Sequence, residues 1–316
     1  MAITNFVAPE NIVYKGKEAN EILSKPIYES DLYSYGITYR PGVKGKEQLI
    51  TGEVSELFQA YTCAFTPNGD VSLAEQWIEP FTMKINLQEC YDKFWPSFMA
   101  EETRRAYVGE SNIPRTFFEW FFNEMLIKQM KREYEEIFWN GDTSKTGVLA
   151  LGDGIIKKLA DTEAKTIKGA VLTVDNILDQ ITAVAALADI NVDDADYKIF
   201  INKGQMKILK TALGNEKIFN NYVWNNFTKE GEKVYAYGFE VVPTRIAKDV
   251  ILLAPNKNLI LGYDLESDQT SFQILDLSQV TGDNEFRVIA MCNMAVGLVY
   301  PELMVISKPD NWNIGG

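Results

Sequence analysis

The chain has 316 residues, of which 46% are apolar and 12% aromatic, so it can bury a sizeable core in one large domain or two smaller ones. It contains no histidine, which excludes Ser-His-Asp and Cys-His catalytic groups and His-ligated metal sites. The formal net charge is −13, which argues against dedicated binding to nucleic-acid phosphates. The composition indicates a globular protein outside most familiar enzyme classes.

The three cysteines, Cys63, Cys90 and Cys292, are too widely spaced for a disulfide framework or a paired metal-ligand motif, so we expect reduced, buried thiols. Met1–Glu10 has neither a basic flank nor an apolar segment. We therefore expect no secretory signal and no export from the cytosol. No apolar run approaches the roughly 20 residues of a membrane helix.

The N-terminal part of the chain begins without clear periodicity over about residues 1–30, which predicts an extended arm more than a packed element. Alternating large residues over Tyr33–Tyr39 then predict a strand ahead of a turn at Pro41-Gly42. An arm of this kind needs another surface to lie on.

A β-hairpin is predicted where two half-apolar runs, Leu57–Phe65 and Val71–Ile78, flank the turn sequence Pro67–Asp70. The run Phe81–Leu87 alternates apolar and polar residues, which is typical of a strand with one buried face.

The strongest helical pattern covers Pro114–Asn140. Thr116 and Glu119 can form a capping box at its start, and Gly141 stands where a helix commonly ends. A helix of roughly 25 residues is about 37 Å long, well above the usual length. We therefore expect this helix to span most of its domain.

The second half of the chain predicts a helix over Asp175–Ala188 and then a compact alternation of strands and helices. The later elements are a strand at Tyr197–Ile201, a helix at Gln205–Leu213, strands at Phe239–Pro243, Val250–Ala254, Leu259–Tyr263 and Phe272–Leu277, and buried strands at Phe286–Ala290 and Ala295–Val305, the last interrupted at Pro301.

We find no catalytic, phosphate-binding or metal-binding motif, and predict no catalytic residue, no cofactor and no metal. The ring-rich segment Phe117, Phe118, Trp120 and Phe121 leaves two interpretations open: an ordinary core, or a flank buried only by another subunit. Arg40, Lys44 and Lys46 form a small basic tip that is either a solvated loop or a docking tip for a neighbour's carboxylates. Asn68, in the hairpin turn, is a further candidate contact between subunits.

The order of these elements resembles the Hong Kong 97-type major capsid proteins of tailed bacteriophages, over essentially the whole chain. Several stretches look similar to family members from phages of Bacteroides-type hosts, although the patterns are degenerate. They are Pro41–Lys46, Gln59–Asp70, Lys84–Cys90, Tyr197–Asn202, Gly238–Pro243 and Phe286-Arg287.

The resemblance implies an α+β capsid fold in five segments. They are an N-terminal arm at 1–35, an extended β-hairpin loop at 36–82, a peripheral domain at 83–189 with the spine helix 114–140, an axial domain at 190–285, and C-terminal strands at 286–316 that return to the peripheral domain.

As a function, the resemblance implies a structural protein that assembles with itself as hexamers and pentamers around double-stranded DNA. It implies portal, scaffold or decoration proteins as further partners, no membrane, assembly in the host bacterial cytoplasm and a final place in the virion capsid. Some relatives cross-link a lysine to an asparagine, but we expect no cross-link here. Two alternatives stay open: an encapsulin-like nanocompartment shell, and a histidine-free enzyme that uses paired carboxylates.

Overall fold

The computed structural model describes most of the chain, in two compact units. Unit 1 comprises Met1–Ser34, Phe81–Glu135 and Tyr263–Met294, and unit 2 comprises Tyr35–Pro80, Glu136–Gly262 and Ala295–Gly316. The five segments expected from the sequence are a finer division and stay a prediction. The described residues are 12–15, 23, 25–27, 30–54, 58, 60, 71–108, 117–188, 196–215, 233–236, 238–264, 271–277 and 281–309.

Three strands of unit 1 are neighbours in hydrogen-bonding order: β1 (Ile12–Lys15), β11 (Ser271–Asp276) and β12 (Glu285–Leu298), which continues into unit 2. Unit 1 also contains Phe81–Cys90, the second part of β4 (Val71–Cys90). Both pairings are antiparallel. The side chains of Leu23 and Ile27 are buried. The described residues of the predicted N-terminal arm are therefore extended at Ile12–Lys15 and packed at Leu23 and Ile27, and the arm as a segment stays a prediction.

Two helices of unit 1 were not predicted from the sequence. Asp31–Ser34 forms the short helix α1, so the strand expected over Tyr33–Tyr39 is confirmed only at its end, where β2 covers Thr38–Pro41. The helix α2 occupies Trp95–Val108, directly after a 3₁₀ turn at Tyr91–Lys93.

The predicted long helix is confirmed from Phe117 to Asn140, although it is not uniform. It consists of α3 (Phe117–Phe121), a π-helical turn (Phe122–Leu126) and α4 (Ile127–Asn140). The expected start at Pro114, with its capping residues, lies outside the described residues. The π-helical turn shifts the phase of the buried face within the helix.

In unit 2, β3 (Glu47–Val54) pairs antiparallel with the first part of β4 (Val71–Cys90), from Glu47 opposite Ile78 to Val54 opposite Val71. The predicted strand Val71–Ile78 is confirmed as the first part of β4, and it pairs with β3. Its predicted partner, Leu57–Phe65, lies largely outside the described residues, so that pairing stays a prediction. The separate strand expected at Phe81–Leu87 is a continuation of β4.

A second sheet lies wholly within unit 2 and has six strands in the order β5-β13-β9-β6-β8-β7. The β5–β13 and β6–β8 pairs are parallel, and the other pairs are antiparallel. The strands are β5 (Lys165–Gly169), β6 (Tyr197–Asn202), β7 (Val234–Ala236), β8 (Phe239–Thr244), β9 (Ile251–Pro255) and β13 (Val305–Pro309).

Other elements of unit 2 are β10 (Leu259–Tyr263), which lies between β2 and β12 in hydrogen-bonding order, and, among its described residues, three further helices. The helices are α5 (Ile155–Ala160), α6 (Ile177–Ala185) and α7 (Gln205–Asn215), with 3₁₀ turns at Gly147–Leu151 and Pro301–Leu303. The predicted elements from Tyr197 to Leu277 are confirmed. Phe286–Ala290 and Ala295–Val305 were predicted as separate strands, but β12 runs through the first and into the second. The elements α5 and β5 fall in a stretch for which no element was predicted.

Close backbone packing fixes the end of the long helix. The amide of Gly141 donates to the carbonyl of Ile137 at 2.9 Å, and the amide of Gly154 donates to the carbonyl of Gly141 at 2.9 Å. A Cβ atom on Gly154 would lie 2.5 Å from the Ile137 oxygen and 2.6 Å from the Gly141 nitrogen. Because both obstacles are backbone atoms, a side chain fits there only if the helix end moves.

We expect Gly154→Ala to lower the free energy of unfolding by about 1–3 kcal/mol, since the added methyl group overfills this contact. Chemical denaturation of the purified, unassembled chain measures the change. Gly45→Ala is the matched control, because nothing lies within 4 Å of a Cβ atom at Gly45. Equal stabilities of the two variants would contradict the backbone contact.

Candidate assembly surface

The β3–β4 hairpin is held at its base by a small apolar core. Val43, Leu49 and Ile78 pack with Ile260 and Ala295, and all five side chains are buried. Val43 precedes the hairpin, whereas Leu49 and Ile78 come from its two strands. The base of the hairpin is therefore part of the core of unit 2.

Two glycines make room for Ile78. A Cβ atom on Gly262 would lie 3.1 Å from the Cδ1 atom of Ile78, and one on Gly297 would lie 3.2 Å from the same atom. These distances are shorter than ordinary van der Waals contacts. The side chain of Ile78, which is 0% exposed, thus packs directly on the backbone of β10 and β12.

The predicted basic tip lies beside this anchor. The guanidinium of Arg40 is 3.0 Å from a carboxylate oxygen of Glu47, and the Nζ atom of Lys46 lies 4.9 Å from the centre of the Trp77 ring. Lys44 and Lys46 are exposed. Two of the three basic residues therefore have intramolecular partners, an ion pair and a cation–π contact.

Trp77 was missed by the sequence analysis, although its side chain is 46% exposed. Glu75 and Glu79 are also exposed, and side chains two residues apart in a strand share a face. A single large ring between two glutamates at alternating positions of a predicted strand was the signal available for it. The solvent face of the hairpin therefore combines one large ring with two carboxylates.

The rings at the start of the long helix are core residues of unit 1. Phe117, Trp120 and Phe121 are 7%, 5% and 4% exposed. They contact other rings of the same unit, at centroid distances of 5.2–6.2 Å. These contacts join Phe117 and Phe121 to Phe286, Phe117 to Tyr91, Trp95, Phe98, Trp120 and Phe121, and Trp120 to Phe98.

This burial corrects the interpretation of Phe117, Trp120 and Phe121 as contacts left open for a second subunit. Rings from the Tyr91–Phe98 region and from β12, which are distant in sequence, already cover them. The side chain of Phe118 and the whole of Asn68 lie outside the described residues, so these two candidate contacts stay predictions.

Several ionisable groups are buried in structural contacts. The hydroxyl of Tyr134 lies 3.1 Å from the sulfur of Cys292, and burial raises the pKa of both groups. The ammonium of Lys158 donates to the carbonyl of Val296 at 2.6 Å. Burial lowers the pKa of Lys158, and the carboxylates of Asp153 and Glu79 oppose that effect. Each of these groups is accounted for by packing.

No group of three or more histidine, cysteine or carboxylate side chains within the described ranges is arranged to hold a metal ion. Among the helices that the structure describes, none is long and apolar enough to cross a membrane.

Sequence comparisons find no relative of this chain, whereas structure comparisons find several similar proteins. No family model and no curated protein matches the chain. In contrast, a chain of the satellite phage P4 procapsid, solved with its size-determination protein, has a TM-score of 0.64 at 12% identity and covers 97% of this chain and 93% of that one.

Two further capsid structures are similar. A chain of the cyanophage P-SCSP1u capsid has a TM-score of 0.55 at 11% identity, covering 99% of this chain and 92% of that one. A chain of the capsid of an empty GTA particle has a TM-score of 0.51 at 11% identity, with 89% of each chain covered.

At such low identities the likeness defines the fold alone. This is an α+β chain with the fold of phage capsid proteins. Its fold is the Hong Kong 97-type capsid fold that the order of its predicted elements indicates.

We expect Ile78→Ala to lower the free energy of unfolding by about 2–5 kcal/mol, because it leaves a cavity between two glycine backbones. Denaturation of the unassembled chain measures this, with Ile85→Ala, on the partly exposed face of β4, as the control with a smaller loss. Similar losses for both variants would contradict the anchoring role of Ile78.

We also expect the thiol of Cys292 to resist alkylation in the folded chain near neutral pH. The thiolate is the reactive form, and burial both raises the thiol pKa and excludes the reagent. Mass spectrometry after iodoacetamide treatment should find modified Cys90, which is partly exposed, well before Cys292. Denaturant should make Cys292 reactive, and rapid labelling of Cys292 without denaturant would contradict its burial.

Proposed function

We propose that the chain is the major capsid protein of a tailed bacteriophage. The observation that carries the proposal is the structural likeness to a phage procapsid chain over nearly the full length of both chains. A likeness of this extent leaves little of the chain for an added domain with a separate activity. The function that the fold supports best is therefore mechanical: subunits enclose a volume.

In this proposal the copies associate as hexamers and pentamers that tile a closed icosahedral shell. The apolar core beneath the β3–β4 hairpin supports it, because a loop that bears load between subunits needs a rigid base. The exposed face with Trp77, Glu75 and Glu79 offers an aromatic side chain of the kind that carries binding energy at protein interfaces.

The contents of the shell are proposed to be double-stranded DNA, held without sequence-specific contacts. A chain with a net charge of −13 disfavours adhesion to the packaged polyanion, whereas a strongly basic inner wall would trap it. Portal, scaffold or decoration proteins are the proposed additional partners, and assembly is proposed to take place in the cytoplasm of the host bacterium. The likeness to phages of Bacteroides-type hosts stays a prediction.

Expression of the chain, alone and with the scaffold and portal genes beside its own, tests the proposal. We expect capsomers, sheets or closed shells in negative-stain micrographs, because assembly covers edges that a single copy leaves exposed. Uniform small oligomers under both conditions, at high protein concentration, would overturn the proposal and favour the histidine-free enzyme.

The contents of the shell distinguish a phage capsid from the remaining alternative, an encapsulin-like nanocompartment. If particles purified from infected cells contain the phage genome, the capsid function holds. Shells that enclose a co-expressed cargo enzyme, encoded beside a gene for it and without portal or terminase genes, would favour the nanocompartment instead.

A further inference from the structure

Two helices cover one face of the six-stranded sheet in unit 2. Ile177, Ile181 and Val184 of α6 and Leu209 and Ala212 of α7 are buried in one core with the strands. The two helices also contact each other. Their opposite faces are exposed.

The exposed faces carry opposite charges. On α7, Lys207 and Lys210 are exposed and stand three residues apart, so they share one side of the helix. Asp175 is exposed in the turn just before α6, and Asp179 is exposed in the first turn of that helix. We refer to Lys207 and Lys210 as the basic face, and to Asp175 and Asp179 as the acidic face.

These charges are unpaired although the two helices are neighbours. Within the part of the chain that the structure describes, none of the four side chains has an ion-pair or hydrogen-bond partner. By contrast, Lys233 on the same unit lies 3.0 Å from Glu240. The position of Asp179 in the first turn of α6 is favourable for the helix dipole, but it leaves the carboxylate exposed. The acidic and basic faces therefore do not neutralise each other within one copy.

A second copy of this chain supplies the complementary charges. We propose that the acidic face of one copy contacts the basic face of the next. This inference rests on the proposed function. Copies with a net charge of −13 repel one another, so a contact that places unpaired lysines against a neighbour's carboxylates removes part of that repulsion and fixes the orientation.

In the proposed arrangement the contact is head-to-tail: the acidic face of each copy meets one neighbour and its basic face meets another. A head-to-tail contact closes into a ring when the rotation between copies completes a full turn. Rings of subunits are what the proposed capsomers require.

Charge exchange tests the contact. Lys207→Glu with Lys210→Glu should raise the protein concentration needed for assembly about tenfold or more, since like charges then meet. Asp175→Lys with Asp179→Lys should do the same. A chain with all four substitutions should assemble within about threefold of the unsubstituted concentration.

Lys248→Glu with Lys257→Glu is the matched control. Both lysines are exposed on unit 2, and the substitutions change the net charge equally. The control should assemble like the unsubstituted chain. If the basic-face variant behaves like this control, or if the fourfold variant fails to recover while remaining folded by circular dichroism, the proposed contact is overturned.

A disulfide assay separates this contact from the proposed function. Chains carrying Asp179→Cys are mixed with chains carrying Lys207→Cys under oxidising conditions, with the unsubstituted chain as background for the native thiols. We expect a linked pair with one chain of each kind, identified by mass spectrometry. A linked pair without shells supports the contact and overturns the capsid function. Shells without a linked pair support the capsid function and overturn the contact. If neither the linked pair nor shells form, the contact and the capsid function are both overturned.

Discussion

The hairpin of unit 2 depends on the contact of one isoleucine with two glycine backbones. The buried side chain of Ile78 packs against the backbones of Gly262 and Gly297, where a Cβ atom would lie only 3.1 and 3.2 Å from its Cδ1 atom, and this contact ties β4 to β10 and β12. The ion pair of Arg40 and the cation–π contact of Lys46 then lie beside a fixed base. Without that base, these polar contacts would have to order two strands and hold them in register, which exposed pairs are too weak to do.

The long helix shows how far periodicity carries a prediction. Helical spacing and a glycine at the end predict its extent correctly down to Asn140. The π-helical turn at Phe122–Leu126 was not predictable, because it depends on how the helix packs and not on residue spacing. The pairing of Val71–Ile78 with β3 was not predicted, because the strong turn signal at Pro67–Asp70 favours a partner nearby in sequence, whereas strand pairing is decided by contacts between residues distant in sequence.

The candidate site was less predictable than the fold. The basic tip was found from sequence because charged residues cluster there, but neither Trp77 nor Glu47 was assigned as a partner. The rings from Phe117 onward were expected to be buried, but the sequence did not indicate which residues cover them. Their partners come from Tyr91–Phe98 and from Phe286, far along the chain, and only the folded structure brings these together.

The cation–π contact at Trp77 has a consequence for how the hairpin base responds to its surroundings. Raising the ionic strength weakens the partly exposed Arg40–Glu47 ion pair, because salt screens charges near the surface. The attraction of the Lys46 ammonium to the Trp77 ring is also electrostatic, so it weakens in the same direction. The contacts of Ile78 are apolar and buried, so the base of the hairpin keeps its position in concentrated electrolyte while the two charged contacts beside it loosen.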